Sequence, residues 1–169
     1  MMAYSGRYKV INIKKYKGDF TNVVYRSSWE KKVFQWCDNN SDVKEWSSEE
    51  VVVPYYYDVD KKYHRYFVDI KVTFRNHKTL LIEIKPAKET EPPIGEKRTK
   101  RYINESLTYI KNMNKWEAAN SYAKDRGWEF QIWTENTLRE MGLLPKPMPG
   151  KIKKPLKKLA PYKRKKSRK

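Results

Sequence analysis

The sequence predicts an α/β domain in which a mixed β-sheet, built around a central antiparallel hairpin, is flanked by helices. Residues 64–86 alternate between apolar and polar positions with period two, as strands do. Apolar stripes with helical spacing precede and follow this stretch. With 169 residues, of which 38% are hydrophobic, the chain is long enough to bury one core.

The predicted hairpin joins a strand over 64–74 to a strand over 79–86. The apolar faces consist of Tyr66, Val68, Ile70, Val72 and Phe74 in the first strand and Leu80, Ile82 and Ile84 in the second. For these faces to coincide, even-numbered residues must lie opposite even-numbered ones, because a shift of one residue turns a strand over. The hairpin therefore needs an odd-length loop or a bulge.

The same register directs three ionisable residues, Asp69, Glu83 and Lys85, to the opposite face of the hairpin. Two carboxylates can hold a divalent cation through oxygen ligands. A lysine beside them can act on water bound at that cation. The pattern therefore predicts a candidate catalytic cluster.

A helix is predicted to begin at Ser27, because Ser27-x-x-Glu30 is a capping-box pattern. Its apolar stripe contains Trp29, Val33, Trp36 and Cys37. Glu30 has two interpretations, a capping residue that bonds back to Ser27 or an acidic residue that faces the cluster. The local pattern alone favours the cap.

The remaining elements follow from shorter patterns. Strands are predicted over 43–46 and 51–57, with Pro54 indicating an edge, and a loop or flap over 87–97. Two helical stripes follow, one at Ile103, Leu107 and Ile110 and one at Trp116, Ala119, Tyr122 and Ala123. A strand over 128–133 and a short helix that Thr134 can cap and that ends at Gly142 complete the predicted domain.

The charge of the chain predicts a polyanionic partner. Its 38 basic and 20 acidic residues leave a net charge of +18, which favours nucleic acid. No long apolar stretch indicates a membrane partner. A single cysteine, Cys37, excludes an internal disulfide and a cysteine-rich zinc site, and we expect a protein of the reducing cytoplasm.

Charge also divides the chain into a basic N-terminal arm (1–24), a core domain (25–144) and a flexible basic tail (145–169). Twelve Lys and Arg residues and no acidic residue lie between 146 and 169. The arm is either extended on DNA or packed over the domain, and the tail either binds DNA or only aids solubility. The predicted DNA contacts are Arg26, Lys151, Lys153, Lys154, Lys157, Lys158, Lys163, Arg164, Lys165, Lys166, Arg168 and Lys169.

Asp69, followed on the next strand by Glu83-Ile84-Lys85, resembles the motif of the metal-dependent PD-(D/E)xK nucleases, with Val68 at the position of the proline. Glu30 matches the acidic residue that these nucleases carry on an upstream helix. The segments 25–30, 64–69 and 82–86 are similar to the head-completion nucleases of T-even-like bacteriophages. More distantly, they resemble the N-terminal nuclease domain of Tn-seven-type transposases. The resemblance covers about residues 1–144.

This resemblance implies a restriction-endonuclease-like core and a Mg²⁺-dependent endodeoxyribonuclease, with Mn²⁺ as a substitute. Asp69, Glu83 and the backbone carbonyl of Ile84 would hold the metal, Glu30 would hold a second ion or a water, and Lys85 would orient the attacking water. It also implies action on double-stranded DNA during phage head completion, with head or portal-vertex proteins as partners. The expected location is the host cytoplasm during assembly, or the virion head.

Two other function classes are compatible with the sequence. One is a DNA-binding structural protein of the phage head that lacks catalysis. The other is an RNA-binding basic protein, which would present stacking aromatics on an exposed sheet. Most strand aromatics are predicted to lie on buried faces, which disfavours that class. Lys115 lies in a region that is similar to the same nucleases, and its role stays open.

Overall fold

The computed structural model describes residues 4–95 and 99–147, in which five consecutive strands lie between the first two α-helices. The strands are β1 (Gly6–Tyr8), β2 (Val23–Tyr25), β3 (Val43–Ser48), β4 (Val52–Tyr57), β5 (Lys62–Phe67), β6 (Ile70–Phe74), β7 (Thr79–Ile84) and β8 (Glu129–Trp133). The helices are α1 (Ser28–Asn39), α2 (Lys100–Lys124) and α3 (Glu135–Glu140). Strands β3, β6, β7 and β8 form one mixed sheet in that order, and β1–β2 and β4–β5 form antiparallel ribbons. The α/β prediction is confirmed.

The sheet separates two apolar cores. On one face, α1 contributes Val33 and Phe34, and α3 contributes Leu138. On the other face, α2 contributes Ala119 and Ala123, which pack with the β4–β5 ribbon. Strand β7 is buried along its whole length because both of its faces are covered.

The central hairpin has the register that the apolar faces predicted. Ile70 lies opposite Ile82, and Val72 lies opposite Leu80. The loop between the strands has three residues, since the Phe74 N–H donates to the Lys78 carbonyl at 2.8 Å. His77, in this loop, has a φ of 67°, the left-handed conformation typical of such loops. The predicted odd-length loop is therefore confirmed.

The prediction of one strand over 64–74 is wrong, because the chain changes sheets in the middle. Strand β5 pairs with β4, whereas β6 pairs with β3 and β7. At the break, the Val68 N–H donates to the Val51 carbonyl at 3.0 Å. Tyr66 and Val68 therefore pack in the core under α2, while Ile70 packs in the core under α1. The alternation of side chains continues through the break, so the sequence pattern gives no sign of it.

Helix α2 is one helix of 25 residues rather than two. Its N-terminal half leaves Ile103 and Leu107 exposed, whereas Trp116 and Ala119 in the second half are buried. At 1.5 Å per residue the helix extends beyond the sheet that it covers. None of the helices in the described part of the chain is both long and apolar enough to span a membrane.

The N-terminal segment, predicted as a basic arm, packs on the domain over residues 6–25. Strand β1 pairs with β2, and Tyr8 and Val10 are buried in the core under α1. The Tyr8 hydroxyl donates to the buried Asp38 carboxylate at 2.8 Å, which also accepts from the Trp46 indole N–H at 3.2 Å. Of the two alternatives for this segment, the structure shows packing rather than extension for these residues. The predicted tail lies outside the described residues from 148 onward.

Candidate active site

Asp69 and Glu83 are held together where the chain enters the central hairpin. Asp69 directly precedes β6, and Glu83 lies in β7, so the register directs both to the face under α2. The Asp69 Oδ2 atom accepts a hydrogen bond from the Ile84 N–H at 2.8 Å. This bond anchors the Asp69 carboxylate beside Glu83. The Glu83 residue is only 3% exposed. The backbone of Ile84, whose carbonyl we predicted as a metal ligand, is therefore bonded to the acidic pair through its N–H.

Lys85 completes the cluster that the sequence predicted. Its Nζ lies 3.4 Å from Glu83 Oε1, and its backbone N–H donates to the Trp133 carbonyl in β8. Although burial works in the opposite direction, the charges of Glu83 and Asp69 raise the pKa of Lys85. The lysine is therefore a cation that faces both carboxylates from the solvent side of the site.

The electrostatics of the pair favour a bound cation. Burial and the charge of Glu83 raise the pKa of Asp69 well above its ordinary value, and the charge of Glu30 adds to this effect. Lys85 lowers the pKa of Asp69 but does not cancel the other contributions. Two carboxylates with hard oxygen donors and incomplete charge compensation fit Mg²⁺ or Mn²⁺.

Glu30 lies at the start of α1, where it acts as a capping residue and also lies close enough to Asp69 to affect its charge. Its Oε1 accepts from the Ser27 hydroxyl at 2.9 Å, and its Oε2 accepts from the Arg26 N–H at 2.8 Å. In return the Glu30 N–H donates to the Ser27 hydroxyl, which closes a capping box. The carboxylate is also partly buried and raises the pKa of Asp69, so it contributes negative charge to the site.

A glutamine at position 30 separates these roles. Glu30→Gln is expected to lower cleavage at least about tenfold, because it removes a charge beside Asp69 while one capping hydrogen bond can still form. The matched control, Ser27→Ala, is expected to cost about 1 kcal/mol of stability and to keep normal cleavage. Cleavage rates and thermal midpoints, measured for both variants, show whether Glu30 acts in cleavage or only in the helix cap. Full activity in Glu30→Gln would assign Glu30 to the cap alone.

Arg26, predicted to contact DNA, is engaged within the protein. Its guanidinium forms two bonds with the Glu49 carboxylate, at 2.8 and 3.1 Å. Glu49 also donates its backbone N–H to the Asp69 carbonyl, so this pair borders the site. Arg26 remains exposed, and any phosphate contact would share the guanidinium with Glu49.

Tyr66 belongs to the site, and the sequence did not indicate it. The expectation of one strand over 64–74 put Tyr66 on the face away from Asp69, and the change of sheets reverses this. The Tyr66 hydroxyl donates to Glu83 Oε2 at 2.6 Å. Burial and the neighbouring charge of Glu83 raise the pKa of Tyr66, so the hydroxyl keeps its proton. The hydroxyl thus restrains the Glu83 carboxylate at Oε2, while Lys85 contacts Oε1 of the same carboxylate.

Glu30, which the resemblance implies as a further acidic ligand, does not form a three-residue ligand group with Asp69 and Glu83. Within residues 4–95 and 99–147, no three His, Cys, Asp or Glu side chains are grouped closely enough to hold a metal. His64 pairs with Asp60 at 2.7 Å, and His77 lies in the hairpin loop. A metal at this site would therefore depend on Asp69, Glu83 and oxygen atoms of the backbone, water or DNA.

The aromatic residues of the β4–β5 ribbon are more exposed than the sequence predicted. Tyr63 is 76% exposed, and Tyr56 and Phe67 are exposed as well. These side chains project away from the core in which Tyr55 and Tyr66 are buried. The ribbon has only two strands, so its outer face has no covering layer among the described residues.

Comparison with known proteins identifies the family of the chain. The family model of the TnsA-like endonuclease N-terminal domain matches residues 40–135, which include Asp69, Glu83 and Lys85 but not Glu30. The head completion nuclease of enterobacteria phage T4 is 44% identical over 146 residues, which cover 83% of this chain and 97% of that protein. No solved structure shows a significant match. The resemblance noted in the sequence is confirmed, and the chain belongs to the family of TnsA-like endonuclease N-terminal domains.

Proposed function

We propose that this chain is a Mg²⁺-dependent endonuclease that hydrolyses phosphodiester bonds in double-stranded DNA, with Mn²⁺ as a substitute and a restriction-endonuclease-like core. The observation that carries the proposal is the convergence of Asp69, Glu83 and Lys85 on one face of a buried hairpin. The match to an endonuclease family and the net charge of +18 support it.

In this proposal Asp69, Glu83 and the Ile84 carbonyl hold the metal, and Glu30 holds a second ion or orders a water. The metal would activate water and neutralise charge on the phosphate. Lys85 orients the attacking water and stabilises the charge that develops on the phosphate as the water oxygen bonds to phosphorus and the bond from phosphorus to the leaving sugar oxygen breaks. Tyr66 keeps Glu83 in place by its hydrogen bond. The basic residues of the chain provide sequence-independent grip on the DNA backbone.

The biological setting of the proposal comes from the relative. Because the phage T4 protein is a head completion nuclease, we infer that this chain processes DNA during completion of a phage head. Head or portal-vertex proteins would then be its partners. The host cytoplasm during assembly, or the virion head, would be its location.

A plasmid assay tests the proposal directly. The purified chain is incubated with supercoiled plasmid in excess Mg²⁺, in Mn²⁺ and in EDTA, with Lys85→Ala as the negative control. We expect nicked and linear DNA with either metal, and none in EDTA or with the variant. A folded wild-type protein that retards the plasmid without cleaving it in either metal would contradict the proposal. That result would favour a non-catalytic DNA-binding protein of the phage head.

A further inference from the structure

A second lysine, Lys115, lies over the ring of Tyr66, the residue whose hydroxyl bonds Glu83 of the acidic pair. It is part of α2, and its Nζ lies 5.2 Å from the centre of the Tyr66 ring. An ammonium over an aromatic face is attracted by the electron density of the ring. Since the hydroxyl of the same ring donates to Glu83, Lys115 is connected to the site through one side chain.

The charges around Lys115 place it within the electrostatic reach of the site. Glu83 and Asp69 attract its ammonium, whereas Lys85 and Lys111 repel it. Among the residues that the structure describes, Lys115 forms no ion pair and no hydrogen bond. It is therefore a half-buried cation whose charge no bonded anion neutralises.

Lys111 provides a natural comparison because it lies one turn earlier on the same helix. Its Nζ lies 5.3 Å from the centre of the Tyr57 ring, so its local contact is of the same kind. Lys111 is exposed, however, and Tyr57 has no bond to the acidic pair; its hydroxyl donates to the Leu107 carbonyl. Of these two lysines, Lys115 is the one whose aromatic partner also bonds a carboxylate of the acidic pair.

We propose that Lys115 contacts a non-bridging oxygen of the phosphodiester that is being cleaved, and that Tyr66 is the positioning residue that aligns this lysine with Glu83. The inference rests on the proposed nuclease function and adds a second phosphate-binding cation to it. Lys85 and Lys115 would then flank the scissile phosphate. Negative charge accumulates on that phosphate in the transition state, so a fixed ammonium accelerates the reaction.

The chemistry of the site favours an anion as the ligand of Lys115. An ammonium group has three donors and no lone pair, so it cannot coordinate a metal. Burial lowers the pKa of Lys115, which means that an added anion would stabilise its charged form more than it would for a solvated lysine. The acidic pair cannot serve as that anion once it holds a metal, whereas a phosphate oxygen can.

The test compares Lys115→Met, Lys115→Arg and Lys111→Met with the wild type. Methionine keeps the apolar stem over the ring and removes only the charge. We expect Lys115→Met to lower kcat on linear duplex DNA by about 100-fold or more, with partial recovery in Lys115→Arg. Lys111→Met should stay within about threefold of the wild type, because Lys111 is exposed and the hydroxyl of its ring partner Tyr57 bonds the Leu107 carbonyl rather than the acidic pair. The KM for DNA should change little in all three variants.

A second measurement separates chemistry from structure. Mn²⁺ binding, followed by electron paramagnetic resonance, should be no weaker in Lys115→Met, because the lost charge repels a cation, and the thermal midpoint should be no lower. Tyr66→Phe, which keeps the ring and removes the hydroxyl, should weaken Mn²⁺ binding about tenfold because Glu83 loses its restraint. A Lys115→Met protein with weaker Mn²⁺ binding or a lower midpoint would make Lys115 a structural residue and overturn the inference.

The remaining outcomes distinguish this inference from the proposed function. A wild-type protein that cleaves while Lys115→Met and Lys111→Met have equal kcat values would overturn the role of Lys115 and leave the nuclease intact. Normal Mn²⁺ affinity in Tyr66→Phe would overturn the positioning role of Tyr66. A folded wild-type protein that cleaves no DNA in Mg²⁺ or Mn²⁺ would overturn both proposals together.

Discussion

Replacing Asp69 by asparagine is expected to abolish cleavage while making the metal-free protein more stable. Asparagine can still accept the Ile84 N–H with its amide oxygen, so the fold is retained. The substitution removes a buried carboxylate whose charged form is disfavoured first by burial and then by the charge of Glu83. Each pKa unit of such a shift corresponds to about 1.4 kcal/mol, so we expect the thermal midpoint in EDTA to rise by several degrees.

The pH dependence of this effect has a definite sign. The pKa of Asp69 is raised in the folded state, so the folded protein keeps a proton at pH values where the unfolded chain has lost it. The resulting stabilisation is complete below the ordinary value of 3.8 and is lost as the pH rises through the folded-state pKa. Metal-free wild type should therefore lose stability over that window, and Asp69→Asn should not. Thermal unfolding in EDTA at a series of pH values measures the difference.

Metal addition should reverse the order of stability. Mn²⁺ binds only the folded state, so it should raise the midpoint of the wild type in a concentration-dependent way. Asp69→Asn has one carboxylate fewer and should respond weakly. Equal responses of the two proteins to Mn²⁺ would contradict Asp69 as a ligand.

The same prediction extends to the rest of the cluster. Asp69→Ala, Glu83→Ala and Lys85→Ala should each lower cleavage by about 10³-fold or more, and a double variant should be little worse because the residues act as a unit. Lys71→Ala is a matched control, since Lys71 lies in β6 and contacts Trp128 rather than the site. A Lys85→Ala protein that cleaves at the wild-type rate would refute the assignment.

Removal of residues 145–169 is expected to weaken DNA binding strongly without loss of catalysis. The segment from 146 to 169 carries 12 basic residues and no acidic ones. If about half of these contact phosphates, they contribute roughly −5 to the slope of log affinity against log salt concentration. The truncated chain should stay folded, because Leu143 and Leu144, which pack against the core under α1, are retained. It should also cleave normally at saturating DNA.

The control for this truncation is a chain of full length with the 12 basic residues replaced by glutamine. If charge is what matters, both variants should show the same loss of affinity and the same flatter salt dependence. An unchanged salt slope after truncation would indicate that the segment binds something other than DNA, such as an acidic protein surface. A folded truncated chain that is inactive at saturating DNA would show that the segment helps to build the site.

The sequence by itself determined the centre of the fold. Ile70 and Ile82 can lie on the same face only if even-numbered residues pair with even-numbered ones, since a shift of one residue would turn one strand over. That constraint was sufficient to predict the odd-length loop and to bring Asp69, Glu83 and Lys85 to one face. The start of α1 was equally local, because Ser27 and Glu30 satisfy each other within one turn.

Only the tertiary structure decided what surrounds this centre. Alternation along a strand determines where side chains point relative to their neighbours, but it does not determine which strand they pair with. The change of partner at Val68 therefore moved Tyr66 to the face of Glu83 without a sign in the sequence. Lys115 approaches the site from a helix that packs on the sheet, and such contacts between distant segments depend on the assembly of the whole domain. These contacts form because the burial of apolar side chains brings α2 and the β4–β5 ribbon together over one core.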